Sequence, residues 1–314
     1  MTNVLKDPSD PKAYIVTGPT SGIGRSTASE LARHGTVVLV SRDRGKLKEV
    51  QGAIERRGQN AVSVVCDLSD LASVRRAAAE IIALGLPIAG LLNNAGIFPM
   101  HATKNALGWD TAFAVNHVGP FVLTEALIPN LRDGASVVFI ASGVEDPERK
   151  PARMAGFRGG RYLSAEASAR GEWKPGGSKM PGADAYATSK QCALAMALAF
   201  AREFPRLRFS AVEPGFSPST GLGRDAPAFL RFVSKYGLSL LAPYLKYWST
   251  PELAAPVITK VLLNEASASG MYYDEKGKPM LGSAQVRDMS FQDRVVAETR
   301  ALLATIPPQT LEAA

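Results

Sequence analysis

Cysteine and histidine are scarce in this chain of 314 residues, and their scarcity excludes two kinds of site. The two cysteines, Cys66 and Cys192, cannot form a network of disulfides, and neither belongs to a CxxC pair. We expect both to be small buried hydrophobic residues in a reducing, cytoplasmic compartment. The three histidines, His34, His101 and His117, lack the spacing of metal ligands, so we expect no metal site.

Long apolar runs and blocks of like charge are also missing. No uninterrupted apolar stretch is long enough to cross a bilayer, and the first residues do not resemble a secretory signal. Lysine and arginine exceed aspartate and glutamate by 36 to 29, but the basic residues are scattered along the chain. We interpret the excess as ordinary surface charge together with an anionic cofactor, and we expect no nucleic-acid partner.

What the sequence does contain is a repeated alternation of apolar strands and helices. Predicted strands cover residues 13–17, 36–41, 61–66, 88–93 and 136–141, and helical spacing covers 22–34, 44–57, 70–84 and 111–131. Continuous apolar strands that alternate with helices are typical of a parallel sheet covered on both faces. We therefore predict an α/β fold, with one Rossmann-type, doubly wound parallel sheet in a single domain over residues 1–314.

Two segments break this alternation. Residues 144–183 are rich in Gly, Pro, Arg and Lys, and we interpret them as an insert that either borders a pocket entrance or forms a solvated loop. Residues 217–248 are apolar and aromatic, with basic residues between the rings. Three interpretations of this segment stay open: a lid over a hydrophobic substrate, packing against the sheet or a partner, and shallow contact with a membrane.

The first predicted strand runs into a glycine-rich turn, TGPTSGIG, at residues 17–24. Glycines allow a tight turn and let the backbone approach a pyrophosphate, while the start of a helix supplies unpaired N–H groups and a positive dipole. A glycine pattern placed between a strand and a helix therefore predicts a dinucleotide site. The residues expected to contact the cofactor here are Gly18, Thr20, Ser21, Gly22, Ile23 and Gly24.

The end of the second strand bears on the choice between two dinucleotides. An acidic residue there would bond the adenosine ribose and favour NAD(H), but this chain has Ser41 followed by Arg42. A guanidinium can pair with a 2′-phosphate through two hydrogen bonds. We therefore expect a preference for NADP(H), with NAD(H) as the alternative cofactor. A surface ion pair between Arg42 and Asp43 is the competing interpretation.

The order of these motifs resembles that of the short-chain dehydrogenase/reductase family. The segment NNAG at residues 93–96 is similar to the family motif that lines the cofactor cleft, and Tyr186 and Lys190 form its YxxxK motif. Asn116 and Ser142 match the other two members of the family's catalytic tetrad. The resemblance also implies cofactor contacts at Asp67, Leu68, Asn94, Ala95, Gly96, Tyr186, Lys190, Pro214 and Gly215.

Within the family, the later part of the chain resembles the branch that contains retinol dehydrogenases and light-dependent protochlorophyllide reductases. Residues 214–222 are similar to a stretch of the latter group. Those reductases carry a cysteine after the proline–glycine pair, where this chain has Phe216. The resemblance therefore favours a light-independent carbonyl reductase or alcohol dehydrogenase over pigment photoreduction.

Tyr186 and Lys190 are four residues apart on a predicted helix, so they share a face. Hydride transfer to a carbonyl carbon must be matched by proton transfer at its oxygen, which a phenol can supply or accept. We expect the neighbouring ammonium to lower the pKa of Tyr186 from its usual value near ~10. By the resemblance, Ser142 holds the substrate oxygen, and Asn116 distorts its helix and holds a water that relays protons.

The sequence thus leads us to expect an oxidoreductase that prefers NADP(H) and acts on a small hydrophobic ketone, aldehyde or alcohol. Two alternatives stay open: a non-catalytic sensor of NADP(H), and an enzyme similar to protochlorophyllide reductase with a large pigment substrate. We expect His117 and Cys192 to be structural residues. The helix after Tyr186 is alanine-rich, as in relatives that dimerise through this surface, so a homo-oligomer and a monomer both stay open.

Overall fold

Seven parallel strands form the central sheet of the protein. The computed structural model describes residues 12–215, 249–264, 266 and 268–306, so Phe216 and the predicted lid at 217–248 lie outside the described residues. The strands are β1 (Ala13–Thr17), β2 (Thr36–Ser41), β3 (Ala61–Val65), β4 (Ile88–Asn93), β5 (Leu131–Ile140), β6 (Arg208–Val212) and β7 (Met271–Tyr273). They lie in the order β3-β2-β1-β4-β5-β6-β7. The chain reverses direction across the sheet between β1 and β4, which is where such sheets bind ligands.

Helices cover both faces of the sheet, which confirms the doubly wound prediction. One apolar cluster joins Tyr14 and Val16 of β1 to one group of helices, and a second cluster joins Ile15 to the other group. The alternation arises because successive strand side chains point to opposite faces. The helices are α1 (Gly22–Leu31), α2 (Arg44–Glu55), α3 (Leu71–Ala83), α4 (Thr111–Phe113), α5 (Gly119–Leu127), α6 (Lys150–Met154), α7 (Ala165–Arg170), α8 (Ala183–Glu203), α9 (Pro251–Leu263), α10 (Ala284–Arg287) and α11 (Met289–Ala304).

The predicted helix over 111–131 is not one regular helix. A π-helical turn at Ala114–Val118 separates α4 from α5, and a 3-10 turn at Ile128–Asn130 follows α5. β5 begins at Leu131, five residues before the predicted start, because the exposed polar residues ahead of its apolar run conceal the strand. The stretch Thr111–Asn130 has the length and hydropathy of a membrane span, but 83% of its most apolar window is buried inside the protein, as in a core helix.

The alanine-rich helix α8 packs against α11 of the same chain. Ala193, Ala195 and Ala197 are buried, and Arg300 of α11 bonds Glu203 of α8 at 2.7 Å. Small side chains let the two helices approach closely, so the alanines have a packing role within one chain. The oligomeric state stays a prediction.

The insert at 144–183 packs against α8 and α11. Tyr162 is fully buried, and its hydroxyl donates to Glu298 of α11 at 2.7 Å. The backbone N–H of Arg161 donates to the Thr188 hydroxyl of α8 at 2.8 Å. The insert is therefore a packed part of the fold, although many of its basic side chains are exposed.

Candidate active site

The turn after β1 lies at the carboxyl edge of the sheet, and two kinds of constraint select its glycines. Gly18 has φ +68° and Gly22 has φ +53°, in the left-handed region that other residues rarely adopt. A Cβ on Gly24 would lie 2.3 Å from Nδ2 of Asn94 and 2.3 Å from the carbonyl oxygen of Gly18. The backbone of this turn therefore packs closely on the loop after β4.

The start of α1 differs from the starts of α2 and α3. Ser21 precedes α1 in an extended conformation, but its side chain makes no capping hydrogen bond. The carboxylates of Asp43 and Asp70 instead cap α2 and α3, each accepting a backbone N–H at 3.0 Å. Because the first N–H groups of α1 lack a side-chain acceptor, they suit a bound phosphate.

The loop after β4 is fastened to the end of β1. The Thr17 hydroxyl accepts the backbone N–H groups of Asn94 and Ala95, both at 3.0 Å. Nδ2 of Asn94 donates to the carbonyls of Thr17 at 2.8 Å and Gly18 at 3.2 Å. These bonds fix the turn after β1 and the NNAG segment relative to each other.

The predicted adenosine contacts lie at the ends of β2 and β3. Arg42 is exposed. Asp43, which the competing interpretation paired with Arg42, instead caps α2 and pairs with Lys46 at 3.1 Å. Within the described part of the chain, Arg42 forms no ion pair, so its guanidinium is available to a ligand. Asp67 accepts the backbone N–H and the hydroxyl of Ser69, at 2.9 Å and 2.7 Å, which fixes the loop after β3.

Asn116 lies within the π-helical turn, which confirms the predicted local distortion of its helix. Its Oδ1 accepts the N–H of Ile97 at 2.8 Å, and its Nδ2 donates to the Ile97 carbonyl at 2.9 Å. The same Nδ2 donates to the Ser189 hydroxyl at 3.0 Å. The side chain is thus used to hold the loop after β4 against α8, and the relayed water stays a prediction.

Lys190 reaches from α8 to the end of β5. Its Nζ donates to the carbonyl of Ile140 at 2.7 Å and lies 5.7 Å from the centroid of the Tyr186 ring. A Cβ on Gly96 would lie 3.7 Å from this Nζ and 3.3 Å from Oδ1 of Asn116, so a small residue suits the space between them. Burial lowers the pKa of Lys190 to about 8.

The Ser142 hydroxyl lies near enough to the Tyr186 phenol to influence its ionisation. The pKa of the phenol is raised to about 12, chiefly by burial and in addition by the Glu213 carboxylate, while the interaction with Ser142 lowers it. Our expectation that Lys190 lowers this pKa below the usual value is therefore wrong for the protein alone. Nζ of Lys190 donates to the Ile140 carbonyl, and burial is the largest cause of the raised pKa of the phenol.

The predicted turn Pro214–Gly215 follows β6, and Gly215 has φ +79°. Glu213, which precedes it, is buried and forms an ion pair of 2.6 Å with Arg149. Sequence reasoning did not assign Glu213 to the site. A carboxylate directly after the apolar strand β6, beside a cofactor turn, is the signal that could have identified it.

Two phenylalanines form an apolar wall beside the Tyr186 phenol. The ring centroids of Phe98 and Phe157 lie 5.0 Å and 6.4 Å from that of Tyr186, and 5.9 Å from each other. Phe157 belongs to the insert, so the insert borders the site, as one of its two interpretations predicted. Neither phenylalanine was predicted from the sequence, because neither belongs to a motif.

His117 and Cys192 lie close to the site in sequence but have structural roles, as expected. Nε2 of the buried His117 bonds the Thr299 hydroxyl at 2.9 Å, and burial lowers the pKa of the imidazole to about 3. Burial raises the pKa of the Cys192 thiol. The described residues contain no group of three or more His, Cys, Asp and Glu side chains that could hold a metal ion.

Comparison with known proteins agrees with this geometry. A family model described as short chain dehydrogenase matches residues 12–151. Polyprenol dehydrogenase of Mus musculus is 32% identical over 306 residues, which cover 93% of this chain and 83% of that protein. Retinol dehydrogenase 13 of Homo sapiens is 30% identical over 318 residues, which cover 96% of this chain and 87% of that protein.

A solved structure extends the likeness to three dimensions. It is described as an NAD(P) dependent gluconate 5-dehydrogenase from Beutenbergia cavernae with NADP bound at low occupancy. Its TM-score is 0.59 at 26% identity, and the match covers 85% of this chain and 95% of that one. The chain therefore belongs to the short chain dehydrogenase family and is an NAD(P)-dependent oxidoreductase acting on CH–OH and C=O groups.

Proposed function

We propose that the protein prefers NADP(H) and interconverts a hydrophobic ketone or aldehyde with its alcohol, with Tyr186 as the general acid and base. The observation that carries this proposal is the placement of the Tyr186 phenol between the apolar wall of Phe98 and Phe157 and the Ser142 hydroxyl, which interacts with it. A proton donor, a second hydroxyl and an apolar surface thus meet at one place. Such a site can bind an apolar molecule and protonate its carbonyl oxygen.

The residues at the carboxyl edge fit the proposed cofactor. The uncapped start of α1 suits the pyrophosphate, because its first N–H groups lack a side-chain acceptor. Gly18 and Gly24 let this turn pack closely on the loop after β4, since a Cβ on either would meet Asn94 or Ala95. The exposed guanidinium of Arg42 suits a 2′-phosphate. When bound, the nicotinamide supplies or accepts the hydride. The solved relative with NADP, at 26% identity, supports the same choice.

Tyr186 provides the proton in reduction and accepts it in oxidation. The Ser142 hydroxyl lies near the phenol, so it can donate a hydrogen bond to a substrate oxygen that Tyr186 also contacts. Burial lowers the pKa of Lys190 to about 8, so this lysine can give up a proton closer to neutral pH than an ordinary lysine can. Its bond to the Ile140 carbonyl fixes its position.

The substrate class rests on the wall and on the relatives. Phe98 and Phe157 are partly exposed, so they leave apolar ring surface next to the phenol. The names of two relatives specify long apolar alcohols, polyprenol and retinol. We also propose a cytoplasmic location, which subcellular fractionation with an antibody to the full chain checks.

The test uses a substrate panel and the absorbance of the reduced nicotinamide. Retinol, a polyprenol and a long-chain aliphatic aldehyde are compared with gluconate, a polar control of similar reactivity. We expect turnover of at least one apolar compound with NADP(H), and none of gluconate. Cofactor binding without turnover of any compound would favour the non-catalytic sensor instead.

A further inference from the structure

A buried ion pair joins the loop after β5 to the end of β6. Nη2 of Arg149 lies 2.6 Å from Oε2 of Glu213, and the two side chains are only 16% and 10% exposed. Glu213 directly precedes the turn Pro214–Gly215, and its own backbone N–H donates to the Tyr273 carbonyl of β7 at 2.8 Å. The backbone of Glu213 is therefore fixed at the end of β6, beside the cofactor turn.

Both members of the pair interact with Gly143, the residue that follows Ser142. The backbone N–H of Gly143 interacts with the Glu213 carboxylate and lowers its pKa. A Cβ on Gly143 would lie 2.4 Å from Nε and 2.5 Å from Cδ of Arg149, so the Arg149 side chain packs directly against this glycine. Ser142 itself accepts the Val144 N–H at 3.5 Å. The loop that carries the Ser142 hydroxyl is therefore held by one carboxylate and one guanidinium.

The surroundings of the pair are rich in acidic groups. Those that face Glu213 or its immediate neighbours come from the loop after β5, from α8, and from β7 and the residues after it: Glu145, Asp146, Tyr186, Tyr272, Asp274 and Glu275. Two cations lie among these groups: Arg149 pairs with Glu213, and Lys190 lies 5.7 Å from the centroid of the Tyr186 ring. Burial raises the pKa of Glu213 and the Arg149 guanidinium lowers it, so the pair favours an ionised carboxylate beside the Tyr186 phenol.

We propose that Glu213 and Arg149 are positioning residues of the active site, which hold the Ser142 loop and set the net charge that the Tyr186 phenol faces. The proposal rests on the proposed function, in which that phenol moves the proton. Neither residue touches the reacting atoms in this scheme. The contacts with Gly143 and the place of Glu213 before the cofactor turn carry the inference.

The proposal predicts opposite effects for the two halves of the pair. Glu213→Gln removes the negative charge and leaves Arg149 behind, so we expect Tyr186 to ionise at a pH lower by about one unit. Arg149→Met leaves the carboxylate unopposed at alkaline pH, so we expect Tyr186 to ionise at a pH higher by about one unit. The double variant lies between them. A purely structural role predicts no such opposition.

The direct experiment is NMR of protein labelled with ¹³C at Cζ of tyrosine, without substrate or cofactor. The signal missing in Tyr186→Phe assigns the resonance among the eight tyrosines. We expect it to leave its neutral position at the lowest pH in Glu213→Gln, later in the natural protein, and last in Arg149→Met. Coincident onsets in the three folded proteins would overturn the proposal.

Two sets of control variants test whether the shifts come from the charges of this pair. Arg149→Lys keeps the charge and should restore the natural onset, whereas Arg202→Met and Asp293→Asn break an ion pair between α8 and α11 and should not move it. Circular dichroism verifies that each variant is folded over the titration range. If the NMR shifts occur but no compound of the substrate panel turns over, the proposed function fails and the tuning of Tyr186 stands.

Discussion

The turn after β1 and the loops after β5 and β6 lie at the same edge of the sheet but satisfy their polar groups in different ways. At the first, the Ser21 side chain leaves the start of α1 without a cap. At the second, protein groups serve each other: Arg149 pairs with Glu213, and Glu145 accepts two hydrogen bonds from Ser283 at 2.8 Å and 2.6 Å.

The difference separates recognition from reactivity. Backbone N–H groups without a protein acceptor favour an anion brought by a ligand, so the first region is built for binding. Charges paired inside the protein contribute no recognition of their own, but they set the field at the nearby Tyr186 phenol. Substitutions in the two regions should therefore affect different measurements.

The largest effect should follow from Tyr186→Phe, in the second region. Removal of the only phenol hydroxyl placed to move the substrate proton in the proposed scheme should lower kcat by about 10²–10⁴-fold. Affinity for NADPH, measured by the fluorescence of the reduced nicotinamide, should stay close to that of the natural protein. A comparable loss of cofactor affinity would contradict the separation of the two regions.

Glu145 should give the second region a pH-dependent stability. Burial raises its pKa from 4.5 to about 7, so folding favours the protonated form. The resulting stability is fully present below about pH 4.5 and is lost as pH rises through about 7, for a total of about 3 kcal/mol. Urea unfolding of Glu145→Gln should show a flatter dependence of stability on pH over this window than that of the natural protein.

Motif and periodicity were sufficient to predict the framework of both regions. The bounds of β1, β2 and β4 agree with the sequence prediction, because each strand is a short apolar run closed by a turn. The placement of Ser142 at the end of β5 near Tyr186 also followed from the strand end, whereas the bond from Lys190 to the Ile140 carbonyl was not predicted. The predicted features depend on local order along the chain.

The features that could not be predicted depend on contacts between distant segments. Arg149 and Glu213 are 64 positions apart, and nothing local indicates that they meet across Gly143. The wall of Phe98 and Phe157 likewise joins two loops without periodicity. The pKa of Tyr186 was predicted in the wrong direction because sequence spacing reveals a neighbouring charge but not burial.

Gly24→Ala tests whether the first region depends on close backbone approach. The new Cβ would meet the Gly18 carbonyl oxygen, which belongs to the backbone and cannot rotate away. We expect a loss of about 1–3 kcal/mol in unfolding free energy and weaker NADPH binding. Gly45→Ala, in the first turn of α2 where the nearest atom is 3.4 Å away, is the matched control and should be neutral or slightly stabilising.

The most selective effect expected is the loss of discrimination between NADPH and NADH in Arg42→Ala, which should leave stability unchanged. A charge-assisted hydrogen bond to the 2′-phosphate contributes about 1.5–3 kcal/mol, so the ratio of kcat/KM for the two cofactors should fall by about 10- to 100-fold. Arg44→Ala, the neighbouring exposed arginine at the start of α2, should leave the ratio unchanged. An equal ratio in the natural protein and both variants would show that the end of β2 does not bind the 2′-phosphate. The first region would then bind through the pyrophosphate alone, since the uncapped start of α1 does not depend on Arg42.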